Sequence, residues 1–367
     1  MLNITLEKRP SDSKAMSYLS PLFAIILTLI SGGLLFTSLG QDPFHALYTF
    51  FIAPLTDVYG WTELGVKVAP LTLCAMGLML CFKARIWNIG AEGQFILGGL
   101  GGGYIALELM DAEGIWVLPL VLLCGALSGL FWGAVTALLK TRFGANEILT
   151  TIMLNYIALN WLLYGVHGPL KDPDGFNFPE SALFSDFATL PVLSDDYRLN
   201  ISIFFALFAV AVIWALMSKT LLGFQISVLG EDKSAARFAG FKEERLIWFV
   251  LLACGALAGL AGVSEVTGSV GQLNPYISPG YGYAAIIVAF LGRMHPVGIV
   301  FASMLLALTY MGGEMAQMDL GLPKSLTGLF QGMLLFYLLA CDLLISYRIV
   351  RKPAARTISS SSNPAQA

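Results

Sequence analysis

Charged residues are scarce in this chain of 367 residues: Asp, Glu, Lys and Arg make up 12%, whereas hydrophobic residues make up 57%. Soluble domains carry about 25% charged residues, so this composition excludes an ordinary soluble domain. The charges are also confined to short stretches between long apolar runs. This distribution predicts a multi-pass membrane protein.

Residues that build catalytic or metal centres are few as well. The three histidines are scattered, and the five cysteines lie within or beside apolar runs without metal-ligand spacing. No G-x-x-x-x-G-K-[ST] pattern occurs, and no soluble stretch is long enough for a nucleotide-binding domain. We therefore predict no catalytic site, no metal and no bound cofactor, so any use of ATP needs a separate subunit. A net charge of −3 without a basic patch predicts no nucleic-acid partner.

Ten apolar runs are candidates for crossing about 30 Å of hydrocarbon. They lie at 18–39, 64–82, 90–110, 116–139, 147–166, 199–218, 246–266, 278–292, 296–313 and 325–346. The first lacks an A-x-A cleavage site, which favours an uncleaved span over a signal peptide. The eighth is short and follows several Gly and Pro residues, so we predict a broken or half-spanning helix there.

Basic residues predict the orientation of these segments. Lys and Arg concentrate in the connections that share a side with the N-terminus, whereas the opposite loops are rich in acids. We therefore predict a cytoplasmic N-terminal segment (1–17), a transmembrane domain (18–346) and a flexible cytoplasmic tail (347–367). Within the domain, 219–245 is the long cytoplasmic loop and 167–198 the long external loop.

The predicted fold is all-α, with about ten transmembrane helices, both termini cytoplasmic, and an inverted repeat that relates segments 2–5 to segments 7–10. Segments 2–5 begin outside and segments 7–10 begin inside, so any repeat between them is inverted. The two halves also carry similar interruptions, GAEGQF at 90–95 and SVGQLNPYISPGYGY at 269–283. Paired interruptions of this kind point to a transporter's binding site.

Polar side chains within the spans are the candidate site residues. Asn88, Glu92 and Gln94 open the third segment, and such groups are tolerated where they face a protein interior or a water-filled path. The alternative is that they only cap a helix at the interface. The predicted pathway consists of Asn88, Glu92, Gln94, Asn155, Gln272 and Asn274.

Glycines at 98, 99, 101, 102 and 103 crowd the third segment. They are consistent either with close helix packing or with a flexible break at the pathway, and packing is the favoured interpretation.

The cytoplasmic loop 219–245 contains the sequence LGEDKSAARFAGF. Residues 231–241 of this loop predict a short helix with alanines on one side and charges on the other. Such a helix suits a groove on another protein, whereas a simple connector needs only polar residues and turn formers.

Four motifs together resemble a known family: NIGAEGQ at 88–94, ANEILTTIMLNYIA at 145–158, LGEDKSAARFAGF at 229–241 and SPGYGYAAIIVAFLGRMHPVGI at 278–299. The chain resembles the permease subunits of bacterial nucleoside and simple-sugar ABC importers, in the branch that works with basic-membrane-protein-type lipoproteins. The resemblance runs from about residue 60 to residue 345.

This resemblance implies a multi-pass permease in the bacterial inner membrane that carries a nucleoside or a related sugar by alternating access. The implied partners are ATP-binding cassette subunits, a second homologous permease (as a heterodimer) and an extracytoplasmic substrate-binding lipoprotein. It also implies a coupling helix that docks on the ATPase, with Gly230, Glu231, Ala235, Ala236 and Gly240. The family usually has N-P-E where this chain has Asp232, Lys233 and Ser234.

Two other functions remain open from the residues alone. An ion-coupled secondary transporter would use Glu92 or Glu265 as its ion site. A scaffold or receptor subunit would not need polar residues within its spans.

Overall fold

The computed structural model describes residues 3–8 and 14–352. In this part of the chain there are thirteen α-helices, one 3₁₀ turn, one π-helical turn and four short strands. The helices are α1 (Lys14–Ser38), α2 (Pro43–Phe51), α3 (Val58–Lys83), α4 (Ala91–Glu108), α5 (Val117–Phe143), α6 (Glu147–His167), α7 (Ser202–Lys219), α8 (Leu221–Glu231), α9 (Lys233–Phe238), α10 (Glu243–Glu265), α11 (Tyr281–Leu291), α12 (Pro296–Leu320) and α13 (Ser325–Ser346). The 3₁₀ turn is Ala53–Leu55, the π-helical turn is Val266–Val270, and the strands are β1 (Asn3–Lys8), β2 (Val192–Ser194), β3 (Tyr197–Asn200) and β4 (Tyr347–Lys352).

Side-chain caps fix where several helices begin. Asp57 accepts a hydrogen bond from the Gly60 N–H at 2.7 Å before α3, and Asn146 accepts one from the Ile148 N–H at 2.9 Å before α6. These bonds satisfy backbone donors that a helix leaves free in its first turn. Gly144 (φ 62°) ends α5 in the left-handed conformation that glycine adopts most easily.

Each of the ten predicted segments coincides with a helix, and eight helices in the described residues are long and apolar enough to cross a membrane. The other two predicted segments correspond to α4 and α11. With 11 residues, α11 is about 16 Å long, roughly half the thickness of the hydrocarbon core. The predicted broken or half-spanning helix is therefore a short helix in the structure.

The centre of the bundle is built around α3 and α10. In α3, 89% of the apolar stretch that could cross the membrane is buried inside the protein, against 33% of the same stretch in α1, α5 and α6. Helix α10 packs on α4 and α5, and glycines allow these backbones to approach closely. A Cβ atom on Gly98 would lie 2.3 Å from the Gly259 Cα, and one on any of the five clustered glycines would meet another segment at 2.0–2.9 Å. Helix packing is therefore confirmed as their role.

The contacts between helices follow the predicted internal repeat. Helix α10 packs on α4 and α5, and its counterpart α3 packs on α11 and α12. In the first half α4 also contacts α5 and α6, and in the second half α11 contacts α12 and α13 in the same way. The two half-domains thus exchange their first helices, α3 and α10, each of which packs on the other half.

Strands β1 and β4 pair antiparallel, with Asn3 opposite Lys352. Their pairing places both ends of the described chain at one end of the bundle, as an even number of crossings requires. The strand Tyr347–Lys352 occupies the first part of the tail that we predict to be flexible, whereas residues 353–367 lie outside the described residues. The cytoplasmic location of this end stays a prediction.

Candidate functional site

The connection from α3 to α4 is held in place by Asn88. This residue is fully buried, and its Oδ1 accepts a hydrogen bond from the Gly90 N–H at 2.8 Å. Its Nδ2 donates to the Cys254 Sγ at 3.2 Å and, more weakly, to the Gln94 Oε1 at 3.4 Å. A buried amide must be satisfied in this way, so Asn88 ties the start of α4 to α10.

A second amide, Asn155 of α6, holds the same region from the other side. Its Oδ1 accepts from the Gly93 N–H at 2.9 Å, and its Nδ2 donates to the Ile89 carbonyl at 2.9 Å and to the Tyr283 hydroxyl at 3.1 Å. Asn155 is 2% exposed. One side chain therefore connects α4, α6 and α11.

Glu92 lies where the N-terminal ends of α4 and α11 meet. Its carboxylate is 6% exposed, and Oε2 accepts a hydrogen bond from the Gly282 N–H at 2.8 Å. Glu92 and Gly282 are each the second residue of their helix, so the positive ends of two helix dipoles face this single carboxylate. The electrostatic field of the two ends stabilises a negative charge here.

This approach of the two helices requires glycine at position 282. A Cβ atom there would lie 2.2 Å from the Glu92 backbone nitrogen. Any other residue would therefore push α11 away from α4.

The segment before α11 completes the junction. The Ser278 Oγ accepts from the Gly280 N–H at 3.2 Å and from the Tyr281 N–H at 3.3 Å. Ser278 thereby occupies backbone donors at the start of α11, while Glu92 takes the next one.

A cavity of about 250 Å³ opens beside this junction. Its polar lining is formed by Glu92, Asn155, Tyr156, Ser278 and Tyr283. The two tyrosines are 58% and 44% exposed, so aromatic faces are available beside a buried carboxylate and a buried amide. We call this the first cavity.

The structure brings four of the six predicted pathway residues together and leaves two apart. Glu92 and Asn155 line the first cavity, whereas Asn88 and Gln94 lie behind it. Gln94 Nε2 has no hydrogen-bond partner among the described residues. Gln272 and Asn274 belong instead to the connector between α10 and α11, where Gln272 Nε2 donates to Glu180 Oε2 at 2.9 Å.

The cavity also uses Ser278 and Tyr283, which the sequence analysis did not single out as site residues. Both lie within the SPGYGY motif. In a sequence, a serine or a tyrosine beside an apolar run is usually interpreted as a turn residue or a core residue. Their proximity to the polar residues of α4 and α6 follows only from the tertiary fold.

The long loop after α6 is hydrogen-bonded along the same connector. The Ser181 N–H donates to the Leu273 carbonyl, the Phe184 N–H to the Gly271 carbonyl and the Leu190 N–H to the Thr267 carbonyl, at 2.9–3.0 Å. We call residues 180–190 the strap. Because Pro275, Ile277, Ser278 and Gly280 of the connector line the first cavity, the strap holds the segment that forms one cavity wall.

The predicted coupling residues occupy two different surroundings. Glu231, Ala235 and Gly240 are exposed, whereas Ala236 is 1% exposed and packs in the core of this chain. Gly230 lies against the end of α3, where a Cβ atom would be 1.8 Å from the Lys83 carbonyl oxygen. Ala235, not Ala236, is therefore on the outer side of α9.

The sequence analysis missed Phe238, the last residue of α9, whose side chain is 96% exposed. Helix α9 is itself held to α10 by Glu243, which pairs with Lys233 at 2.9 Å and with Arg237 at 3.1 Å. An aromatic residue in a charged segment was the available signal for Phe238.

The second acid considered for ion coupling, Glu265, ends α10 within a cluster of both signs. Lys67 and Arg198 act on it electrostatically, and these cations also pair with Glu314 at 2.8 Å and with Glu63 at 3.6 Å. Both cations are thus shared with other acids, and Glu265 does not line the first cavity.

Comparison with known proteins supports one interpretation of this architecture. A family described as the permease component of the branched-chain amino acid transport system matches residues 61–339. The glucose ABC transporter permease protein TsgB13 of Haloferax volcanii is 33% identical, over 95% of this chain and 94% of that protein.

Two further relatives are named as permeases for nucleosides. The nucleoside ABC transporter permease protein NupB of Lactococcus lactis is 29% identical, over 95% of this chain and 97% of its own. The guanosine ABC transporter permease protein NupP of Bacillus subtilis is 30% identical, over 88% of this chain and 94% of its own. The resemblance inferred from the four motifs is confirmed, and the chain belongs to this permease family as the multi-pass membrane subunit of an ABC importer.

Proposed function

We propose that this permease imports nucleosides by alternating access, and that it does so in the inner membrane of a bacterium. Two of the relatives described above are named for nucleosides and one for glucose. The substrate proposal therefore depends on the chemistry of the first cavity.

The observation that carries the proposal is the pairing of Glu92 with half-exposed tyrosines in one cavity. A carboxylate accepts hydrogen bonds from ribose hydroxyls, and the Asn155 amide both donates and accepts. The aromatic faces of Tyr156 and Tyr283 suit a planar base, since bases stack on aromatic side chains with little dependence on sequence. A nucleoside presents both kinds of group, while a hexose presents hydroxyls without a base.

ATP-binding cassette subunits supply the energy in this proposal, and this chain performs no hydrolysis and binds no cofactor. They dock on α9, where Ala235 and Phe238 are exposed. The Glu243 ion pairs pass a movement of α9 to α10, and α10 leads through the connector to the N-terminal end of α11. A change at the ATPase can thus alter the wall of the first cavity.

The other proposed partners are a second homologous permease and an extracytoplasmic substrate-binding lipoprotein. A cavity of about 250 Å³ is at the small end for a ligand site. Tyr156 of α6 lines the first cavity and is 58% exposed, so a second permease against this face would complete the cavity wall.

Uptake into proteoliposomes that contain the whole complex tests the substrate. We expect ATP to drive uptake of labelled guanosine, unlabelled nucleosides to compete, and glucose not to compete. Competition by glucose alone would make the protein a sugar permease and remove the role of base stacking. Uptake driven by an ion gradient without ATP would contradict the ATP-driven mechanism.

A further inference from the structure

A second polar cavity lies on the other side of the connector between α10 and α11. It has a volume of about 410 Å³ and lies between α12 and α13. Its polar side chains come from Tyr310, Glu314, Gln317, Lys324, Ser325, Thr327 and Gln331. None of these residues lines the first cavity, and none has a role in the mechanism described so far.

A short backbone segment contributes to the lining of both cavities. Ser278 and Gly280 line the first cavity, whereas Pro279 between them lines the second. The Tyr310 hydroxyl reaches this partition from the second cavity and donates to the Pro279 carbonyl at 3.4 Å. Gly280 has a φ of 95°, a conformation that glycine adopts without strain, so the partition includes a residue with unusual freedom to rotate.

Two polar groups of the second cavity, Gln331 and Tyr310, make only long hydrogen bonds. Gln331 is 9% exposed and its Nε2 donates to the Thr309 Oγ1 at 3.4 Å, and Tyr310 is 8% exposed with its hydroxyl bond also at 3.4 Å. Both distances are at the long end for hydrogen bonds. A ligand hydroxyl could replace either bond with a shorter one.

The charge of the second cavity suits an uncharged ligand. Glu314 pairs with Lys67 at 2.8 Å, so these two charges compensate each other, and the other lysine of the cavity, Lys324, is exposed to solvent. The remaining lining is mostly amides and hydroxyls, which act both as donors and as acceptors. This combination matches the hydroxyl groups of a sugar or ribose.

We propose that the second cavity is an outer binding site for the same hydroxyl-rich substrate, and that Pro279–Gly280 is the gate between the two cavities. Substrate occupies the outer site first and reaches the first cavity when this segment moves. The identity of the ligand rests on the proposed nucleoside function, whereas the site itself rests on the cavity and its partition.

Photolabelling of the intact complex with an azido-guanosine tests this proposal. We expect adducts within residues 310–331 that excess guanosine prevents, in addition to adducts around the first cavity. Gln331→Leu should reduce the outer adducts and raise the KM for uptake by about two- to tenfold, as expected for one lost hydrogen bond. Gln331→Asn keeps an amide but shortens its reach, and it serves if the Leu variant does not assemble.

Gln41→Leu is the matched control, because Gln41 also makes a 3.4 Å bond, to the Leu320 carbonyl, and lies outside the cavity. It should behave like the unaltered complex. Competed adducts confined to the first cavity, or equal behaviour of the Gln331 and Gln41 variants, would overturn the outer site. If the unaltered complex gives no competed adduct and no ATP-dependent guanosine uptake, the nucleoside function itself is rejected, and the ligand of the outer site with it.

Discussion

Glu92 is the residue on which the candidate site depends most. Its position at the second residue of α4 places it against the N-terminal end of α11, and Gly282 allows the 2.8 Å contact. Intramembrane carboxylates are costly unless they are paired or functional. Here two helix ends stabilise the charge, and one side of the residue faces a cavity.

Replacement of Glu92 by Gln tests this role. The variant keeps the shape of the side chain but loses the charge that faces two helix dipoles, and a hydrogen bond to a charged group contributes about 1.5–3 kcal/mol. We expect near-normal expression with kcat/KM for uptake lowered by about tenfold or more. Glu108→Gln is the control, since Glu108 is an exposed residue at the other end of α4. Unchanged uptake in the Glu92 variant would show that Glu92 only caps a helix and has no role in transport.

At the residue scale, the sequence predicted the polar side chains of the site but not all of the residues that lie beside them. Asn88, Glu92 and Asn155 stand out because they interrupt apolar runs. Tyr283 and Ser278 do not stand out, because they join the site only through a contact between helices that are distant in sequence. Gln272 looks like a pathway residue for the same reason that Asn155 does, yet it binds Glu180 in the strap.

Among the elements, α9 is the helix that we propose to dock on the ATPase subunits. Its sequence predicted a docking helix, but the alternation of exposed and buried positions comes from how α9 packs on the core. Ala236 faces the chain's own interior, and Phe238 faces out.

Phe238→Ala should weaken the association of the ATPase subunits by about tenfold or more, since burial of a Phe side chain contributes about 1.5–3 kcal/mol. The permease itself should stay folded, because an exposed side chain contributes little to its core. Co-purification of the ATPase and its coupled hydrolysis measure the effect. Phe176→Ala, at a similarly exposed position in the long loop after α6, should leave both unchanged. Full ATPase association in the Phe238 variant would show that α9 docks by other residues.

The strap is a second element with a testable role. If residues 180–190 must separate from the connector before the first cavity opens outward, a covalent link between them stops transport. Cysteines at Glu180 and Gln272, joined by a reversible bis-thiosulfonate reagent in a background without other cysteines, should abolish uptake until a reductant is added. Cysteines at Lys171 and Asn177, whose side chains also touch but within the loop, should have no effect when linked. Transport that continues with the Glu180–Gln272 link in place would mean that the strap is static.

At the scale of the whole molecule, apolar runs and basic residues predicted most of the architecture. The ten segments and their inverted relation follow from period, length and charge, and the helix contacts agree with them. Helix α2, the π-helical turn and the pairing of β1 with β4 were not predicted. A short amphipathic helix, a local backbone irregularity and a pairing between the two ends of the chain leave little signal in one sequence.

The orientation in the membrane is tested with single cysteines at Asp174 and Ser234, which lie in exposed segments of the two long loops. An impermeant thiol reagent should label Asp174→Cys from outside and Ser234→Cys only from the cytoplasmic side. Labelling of both positions from one side would refute the ten-span topology and the inverted repeat together.

The most direct test of the central claim is a structure of the assembled complex trapped with guanosine. The account predicts ligand density in the first cavity, with a ribose hydroxyl within hydrogen-bond distance of the Glu92 carboxylate and the base against Tyr283 or Tyr156. Density at a site that contacts neither Glu92 nor Asn155, with the first cavity closed and empty throughout, would contradict it.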